Sequence, residues 1–548
     1  PAIGLYSDSS WRAAKHLAFR SDSPKPHPNW RLSESNIFFD ARDATSMQTR
    51  DAALFAVPTK AFQPCTIIKP KRPLSAQLRP IPQWKDFGLQ SYANKVFTKR
   101  ESDGDTIVLE LPYNMQFTPY FEIEAEAGDT IDIRTDNYNG GRAFNVRCNY
   151  VTQSGRQIFE SPGWMNGHSV RYYFPKGIKI LDLRFRESGY QTEFTKGFAC
   201  EDEFYNQLWE KAVRTLYITM RDNYMDCPDR ERGQWWGDVV LEMGETFYAL
   251  DRQSDALSRK AILELMNFQR PDSTIFSPIP AGNWDNELPT QMLASVGYYG
   301  IWTYYWHTGD RALIAEVYPR VKKYLGVWKT DERGLVVPRK GGWLWGDWGE
   351  NKDMALLFNG WYYLALKGQA EMARLLGETD DLAKAEASMK KLKTAFNEVF
   401  WNGTVYKSAV HKGEPDDRGN ALAVVAGLAP EAYFSAIKKL LVQQQKASPY
   451  FEKYVEEALF QMGYPEAALT RMKQRFGPMV ASELTTLWEG WDIGSATWGG
   501  GTYNHAWSGG GLTLMAEYVA GVRPSEAGYS KIRIAPQLGF LERASLDM

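Results

Sequence analysis

Two stretches of this 548-residue chain gather acids and tryptophans more densely than ordinary surface does. The first is Asp226-Cys227-Pro228-Asp229-Arg230-Glu231-Arg232-Gly233-Gln234-Trp235-Trp236-Gly237-Asp238, with four carboxylates, two arginines and two tryptophans in thirteen residues. The second is Glu483-Leu484-Thr485-Thr486-Leu487-Trp488-Glu489-Gly490-Trp491-Asp492, followed by Trp498 and by Tyr503-Asn504-His505-Ala506-Trp507. Cleaving an acetal needs one carboxylic acid to protonate the leaving oxygen and a second carboxylate to activate water or to attack the anomeric carbon. The acid must keep its proton near neutral pH, which takes burial or neighbouring negative charge. Glu231 has Trp235 nearby as an apolar wall and Asp226, Asp229 and Asp238 as neighbours in sequence. The flanking Arg230 and Arg232 act the other way, so at least one of them must turn off to another acid. Glu489 lies between Trp488 and Trp491. Each residue alone has a plainer reading: a solvated turn for the acids, a carboxylate capping the turn at 499–501 for Glu489, a satisfied core histidine for His505. Adjacent tryptophans are rare in solvated turns, which favours the chemical reading.

Two supporting segments have the same texture of tryptophan beside acid, which suits a carbohydrate subsite. They are Ala281-Gly282-Asn283-Trp284-Asp285-Asn286-Glu287 and the run from Trp343 through Trp345, Asp347, Trp348 and Glu350 to Asp353, each placed before a helix. Asp353 itself reads as an N-cap.

The elements that position these residues change character near residue 196. Before it, short alternating runs at 106–111, 120–125, 130–135, 144–151, 170–174 and 178–185 are separated by turn residues, the pattern of an antiparallel β-sandwich. After it, apolar residues recur at helical spacing, as in Phe204, Leu208, Ala212, Leu216 and Met220. Similar stripes follow at 238–252, 254–269, 288–308, 310–329, 354–377, 380–400, 417–428, 430–446, 450–463, 465–477 and 509–520. Twelve such helices in antiparallel pairs make the element count of an (α/α)6 barrel; a helical solenoid would also explain them, but no sequence period repeats. Both acid-rich stretches fall in loops between these helices, where functional residues concentrate. The expected organisation is multidomain: a strap or remnant of an N-terminal β-domain over 1–75, a β-sandwich over 76–195, the (α/α)6 barrel catalytic domain over 196–521, and a curtailed C-terminal β segment over 522–548 that begins with a strand near 529–535.

Bulk composition narrows the partners. Lys plus Arg number 64 and Asp plus Glu 66, a formal charge of −2, which speaks against the concentrated basic face that nucleic acid or an anionic membrane requires. The 20 tryptophans and 29 tyrosines exceed the needs of a core, since a buried indole N–H wants a partner. Sugar clefts use such rings because the C–H face of a pyranose stacks on them, although large helical cores are aromatic-rich as well. Cys65, Cys148, Cys200 and Cys227 are too few and scattered for a disulfide framework, and Cys227 reads as a structural thiol. The six histidines lack zinc-site spacing, and no cofactor is called for. No run of about 18 apolar residues is present, so no membrane span is expected. With Pro-Ala-Ile at its start and no visible signal peptide, the compartment stays open, a periplasmic or extracellular one being favoured over the cytoplasm.

The thirteen-residue motif resembles the D-C-P-x-R-E-R-x-x-W-x-G-D pattern of the bacterial α-L-rhamnosidases, glycoside hydrolase family 78. Thr485-Thr486-x-Trp488-Glu489-x-Trp491-Asp492, the later Asn504-His505 and Gly346-Asp347-Trp348 resemble further segments of that family. The likeness runs in order over residues 180–540. It loosens at Asn286-Glu287-Leu288-Pro289 after Trp284, at the added bulk of Trp236, and after His505. The resemblance implies an inverting mechanism on an (α/α)6 barrel, with Glu231 as general acid and Glu489 as general base. It also implies a rhamnose pocket of Asp226, Trp235, Asp238, Trp284, Trp348 and His505, to which Arg230 and Trp491 are added as substrate-binding candidates. The substrate implied is an oligosaccharide or rhamnosylated glycoside; linkage, aglycone and oligomeric state stay open. Competing readings are a hydrolase of another 6-deoxy sugar or uronide, a phosphorylase on the same barrel, and a carbohydrate-binding relative without catalysis. A phosphorylase would need an anion nest, which neither loop shows. A lectin would need the tryptophans but not two opposed acids. An inverting pair should hold its carboxyl groups about 6.5–9.5 Å apart.

Overall fold

A computed structural model of the protein describes residues 84–92, 97–137, 146–161, 163–194, 197–229, 231–280, 287–339, 342–493 and 501–548. The expected segment 1–75 lies outside them. The chain divides into two compact units, one drawn from Pro1–Thr192, Tyr217–Gly233 and Asp492–Asn504, the other from Glu193–Leu216, Gln234–Trp491 and His505–Met548.

The first unit is built on antiparallel strands β1 (Trp84–Gln90), β2 (Arg100–Glu101), β3 (Thr106–Ala125), β4 (Thr130–Thr135), β5 (Arg147–Val151), β6 (Gly155–Glu160), β7 (Met165–Tyr173) and β8 (Lys179–Tyr190). They form one hydrogen-bonded sheet in the order β1-β8-β3-β7-β4-β5, with β2 on β8 and β6 on β3. The 20-residue β3 makes this continuity: its first half pairs with β7 and its second half with β8 and β6. Alternation places Ile131 and Ile133 of β4 inside, while Asp132 on the opposite side accepts from Arg134 and Arg147 at 2.7 and 3.2 Å. The two halves share one core, where the Tyr150 ring of β5 meets Phe121 of β3 and Phe159 of β6 at 5.3 and 4.8 Å. The runs 106–111 and 120–125, expected as two strands, are parts of this one. The alternation runs on between them through Tyr113, Met115 and Phe117, but both sides of the strand are buried over 114–121, where Asn114 and Gln116 spend their amides on the loops described below.

The second unit alternates buried with half-exposed helices. Its helices are α1 (Glu203–Ile218), α2 (Trp236–Ala249), α3 (Asp255–Asn267), α4 (Pro289–Val296), α5 (Thr303–Thr308), α6 (Arg311–Gly326), α7 (Met354–Leu376), α8 (Thr379–Phe400), α9 (Asp417–Val425), α10 (Phe434–Gln443), α11 (Pro449–Gln461), α12 (Pro465–Ala481) and α13 (Gly510–Leu514). Every residue of α4, α9 and α13 is buried and nearly every one of α2 and α11, whereas α3, α6, α8, α10 and α12 bury one stripe. The expected stripe 288–308 is broken by a π-turn, Tyr298–Trp302, between α4 and α5. The break sits where α7 approaches most closely: a Cβ on Gly297 would lie 2.9 Å from the Ala365 backbone, and one on Gly368 would lie 2.6 Å from Gly297. The strand expected near 529–535 is present as β11 (Lys531–Ile534), paired with β10 (Val522–Glu526). A further strand, β12 (Ala544–Asp547), pairs with β9 (Gly197–Cys200), which periodicity did not indicate. Among the described residues no helix is long and apolar enough to cross a membrane.

Glu245 of α2 is fully buried, its carboxyl finds no hydrogen-bond partner among the described residues, and burial holds its pKa well above the ordinary range. Gly509 packs directly against it, and a Cβ there would push the carboxyl group aside. The folded state therefore retains a proton that the unfolded chain releases above its ordinary pKa of about 4.5, and stability falls as pH rises through that value. Glu245→Gln mimics the neutral acid. Its stability relative to the parent should be unchanged near pH 4 and should grow by on the order of 2 kcal/mol toward pH 7.5 in urea unfolding. A difference that does not vary with pH would show Glu245 to be ionised inside the fold.

Candidate active-site loops

In the first unit the motif loop follows α1 and is closed on itself by Asp226. Its Oδ1 accepts the Gly233 N–H at 2.8 Å, and its own N–H donates to the Gly233 carbonyl at 2.8 Å, so residues 226–233 form a tied ring. The buried Cys227 thiol packs 3.1 Å from Asp226 Oδ2 and receives the Glu231 N–H at 3.4 Å, the structural role expected of it. Arg232 adopts a left-handed backbone, φ +54°, costly for a residue with a Cβ and held here by its side chain. Its guanidinium lies 3.5 Å over the Trp164 ring and donates to the Pro228 and Trp164 carbonyls at 2.7 and 3.2 Å. The expectation that Arg230 or Arg232 turns away from Glu231 is met in part by this ring and these two carbonyls, which take up the Arg232 guanidinium.

Asp229 is buried and accepts from Thr502 Oγ1 at 2.8 Å and Asn504 Nδ2 at 3.1 Å. Asn504 is held in turn by Asn114 of β3 and by Asn137. Gln116 of β3 donates to the carbonyls of Ile218 and Met220 at 2.7 and 3.2 Å. Sequence reasoning missed Asn114, Gln116, Asn137 and Trp164 as supports of the motif loop. The sequence carries no signal for them, because Asn114 and Gln116 alternate with apolar residues as in a strand with one exposed face. Glu231 itself is half-buried.

In the second unit, Asp238 in the first turn of α2, Glu489 and His505 are all buried and adjoin one another. His505 Nε2 lies 2.7 Å from Asp238 Oδ1, and its Nδ1 lies 3.8 Å from Glu489 Oε2. An ionised Asp238 would accept from Nε2, and Nδ1 faces Glu489. The loop is fixed from behind: the His505 N–H donates to the Leu487 carbonyl at 2.9 Å, the Leu487 N–H to Thr215 Oγ1 at 2.8 Å, and the Trp507 indole to the Glu489 carbonyl at 3.0 Å. Aromatic rings continue from this point. Trp507 lies 4.1 Å from the His505 ring, 5.5 Å from Tyr450 and 6.2 Å, stacked, from Trp345, and Trp345 meets Trp348 at 6.0 Å. Tyr450, in the first turn of α11, was missed; it occupies the same helix-start position as Asp238 does in α2.

The remaining candidates separate. Trp235 is half-buried at the start of α2, and Trp348 is half-buried. Trp491 donates its indole N–H to the Ala447 carbonyl at 2.8 Å and is covered by the Arg475 guanidinium at 4.2 Å, leaving only ring surface for a ligand. Arg230, Trp284 and Trp498 lie outside the described residues. Asp353 stands at the N-cap position of α7, yet its carboxylate does not cap: both oxygens bind Ser408, from its N–H and its hydroxyl at 2.7 Å each. Glu287 pairs with Arg339 at 3.2 Å and receives the Tyr324 hydroxyl, while Glu483 is exposed. Among the described residues no group of His, Cys, Asp and Glu is arranged to hold a metal ion.

A family model described as the bacterial α-L-rhamnosidase 6 hairpin glycosidase domain matches residues 193–519, more than half of the chain. The chain belongs to the bacterial α-L-rhamnosidase six-hairpin family. An α-L-rhamnosidase of Streptomyces avermitilis is 24% identical over 470 residues, covering 79% of this chain and 44% of that protein. One from an Alteromonas species is 21% identical over 587 residues, covering 98% and 60%. The crystal structure of a family 78 rhamnosidase of Bacillus sp. GL1 superposes with a TM-score of 0.72 at 21% identity, over 82% of this chain and 50% of that one. The chain thus spans about half the length of these relatives, and the last of them shares its fold. Within the family's helical region, the Trp348 loop is anchored by a fully buried arginine, Arg418 of α9. Its guanidinium donates to Asp347 at 3.2 Å, to Asp416 at 2.8 Å, and to the carbonyls of Trp348 and Glu350 at 3.1 and 2.6 Å. Asp347 also accepts the Ser448 N–H at 2.9 Å, which ties in the loop before α11.

Burial raises the pKa of Asp347 and pushes that of Asp416 up to about 6, while Arg418 opposes both shifts. Removing the guanidinium would strand these carboxylates in the interior. Arg418→Met should cost about 3–5 kcal/mol in urea unfolding at pH 8. The loss should shrink toward pH 5, where the stranded acids take up protons and no longer need a partner. An equal loss at both values would mean that packing, not charge, is what Arg418 supplies.

Proposed function

We propose that the chain is a glycoside hydrolase that removes terminal α-L-rhamnose from oligosaccharides or rhamnosylated glycosides with inversion, on an (α/α)6 barrel preceded by a β-sandwich. Family membership carries the activity. The observation that supports the chemistry in this chain is the buried Asp238–His505–Glu489 chain, a carboxylate held within a frame of tryptophans by a histidine that a second acid orients. In this reading Glu489 removes a proton from a water molecule as that water attacks the anomeric carbon, and Glu231 donates its proton to the departing glycosidic oxygen. The half-buried position of Glu231 leaves its carboxyl partly open to a bound glycoside. Asp226, Asp238, His505, Arg230, Trp235, Trp284, Trp348 and Trp491 hold the sugar. The alternation of buried and half-exposed helices supports the barrel, whose buried helices present their N-terminal loops for this purpose.

The roles predict different responses. Glu231→Gln should lower kcat about 10²–10⁴-fold for alkyl α-L-rhamnosides, whose leaving oxygen needs the proton, and much less for 4-nitrophenyl α-L-rhamnoside. Glu489→Ala should gain nothing from the better leaving group, and added azide should restore turnover as a rhamnosyl azide of inverted configuration. Equal losses on both substrates for Glu231→Gln would remove it from the acid role and make Asp226 the next candidate. Near-native turnover by Glu489→Ala would make it a structural carboxylate.

A further inference from the structure

The C-terminal halves of the buried helices enclose a second cavity of about 240 Å³, lined from Val240–Gly244 of α2, the π-turn and α5, Lys367 of α7, Glu457 and Gln461 of α11, and residues 513–524. It lies wholly within the helical unit and contains none of Glu489, His505, Asp238 or Trp348. Its walls are aromatic, with Tyr298, Tyr299, Trp302, Trp306, Tyr454 and Tyr518 all contributing. Two of its three cations are committed. Lys453 Nζ pairs with Glu457 at 2.6 Å above the Tyr299 ring, and Arg523 stacks 3.8 Å over Tyr518 while donating to the Glu517 carbonyl at 2.9 Å. Lys367 is different. Its half-buried ammonium rests 4.1 Å over the Tyr298 ring and makes no hydrogen bond or ion pair among the described residues. Three cations thus face two lining acids, Glu457 and Glu517, with Glu371 acting on Lys367 from the same helix; burial lowers the pKa of Lys367, and burial together with Glu457 raises that of Glu517.

We propose that this cavity is a second small-molecule site that takes an acidic monosaccharide, one pyranose ring bearing a carboxylate. The volume suits one such ring. The aromatic walls offer faces for its C–H surface, as pyranose sites do, and the Thr513 hydroxyl and the Gln461 carbonyl oxygen offer partners for its hydroxyls, Glu457 being engaged by Lys453, Gln461 and Tyr518. The carboxylate supplies the charge-assisted partner that Lys367 lacks, where a partly desolvated ammonium gains most from one. The site is independent of the rhamnosidase reading, since it uses other residues at the other ends of the helices.

The test uses the full chain, with sodium D-galacturonate, D-galactose and inorganic phosphate as probes, in crystal soaks and in calorimetry. The expected results are galacturonate density in this cavity with a carboxylate oxygen within hydrogen-bond distance of Lys367 Nζ, and affinity at least about tenfold above that of galactose or phosphate. Lys367→Met should abolish the preference over galactose and Lys367→Arg should keep it; if the Met variant does not fold, Lys367→Gln reads the same difference. Equal binding of galactose and galacturonate would overturn the role of the charge, and equal binding of phosphate would overturn the role of the ring. Density only among the Glu489 loops, or no binding at millimolar galacturonate, would overturn the site.

Discussion

Arg418 reaches no water, and a guanidinium in that position must be matched by acceptors on every side. The acceptors it finds come from separate loops: Asp347, Trp348 and Glu350 before α7, Asp416 before its own helix, and through Asp347 the Ser448 backbone before α11. The same pattern recurs one layer out, where buried Arg471 of α12 binds Asp417 at 3.1 Å and pairs with Glu452 of α11. A hydrophobic core could hold these helices at equal or lower cost, since buried ion pairs add little net stability over apolar groups of the same volume. What the charges add is direction, because a guanidinium accepts only a few arrangements of its neighbours. The loops that carry Trp348 and Trp345 are thereby set relative to Tyr450 and Trp507, and the ring of His505 follows.

The two units use different means to the same end. In the helical unit the candidate site is held by buried charge and by backbone carbonyls that receive indole and hydroxyl donors. In the sheet unit the motif loop is held by amides. Asn114 and Gln116 occupy buried polar positions of β3 and reach residues more than a hundred positions away, and Asp229 closes the set through Thr502 and Asn504. Each of these polar groups is buried, so each would cost about 1–3 kcal/mol if left unpaired. That cost makes the loop conformation cooperative: the left-handed turn at Arg232 persists because its side chain cannot leave Trp164 without stranding a charge.

Much of this was legible in the sequence, for reasons of range. Helix periodicity is local, so the twelve apolar stripes locate the helices, but the stripes at 288–308 and 509–520 each hide a π-turn, because π-turns leave no periodic trace. The loops rich in acid and tryptophan were visible because their chemistry is concentrated within a few residues. The edge strands β1, β2 and β6 were not legible, nor was β9, whose partner lies more than three hundred residues away. The pairing of His505 with Asp238, 267 positions apart, is equally silent in sequence, as are the amide supports from β3. Asp353 shows the limit of local rules: its type and place predict a cap, and a distant serine takes both oxygens instead.

The account rests on a single displacement by water, with Glu489 activating the nucleophile and Glu231 protonating the leaving group. The stereochemistry of the first product tests it most directly. Hydrolysis of 4-nitrophenyl α-L-rhamnoside followed by proton NMR, read before mutarotation mixes the anomers, should show β-L-rhamnose appearing first and the α anomer only later. If α-L-rhamnose appears first, the reaction proceeds through a covalent intermediate and the assignment of Glu489 as a base acting on water is wrong.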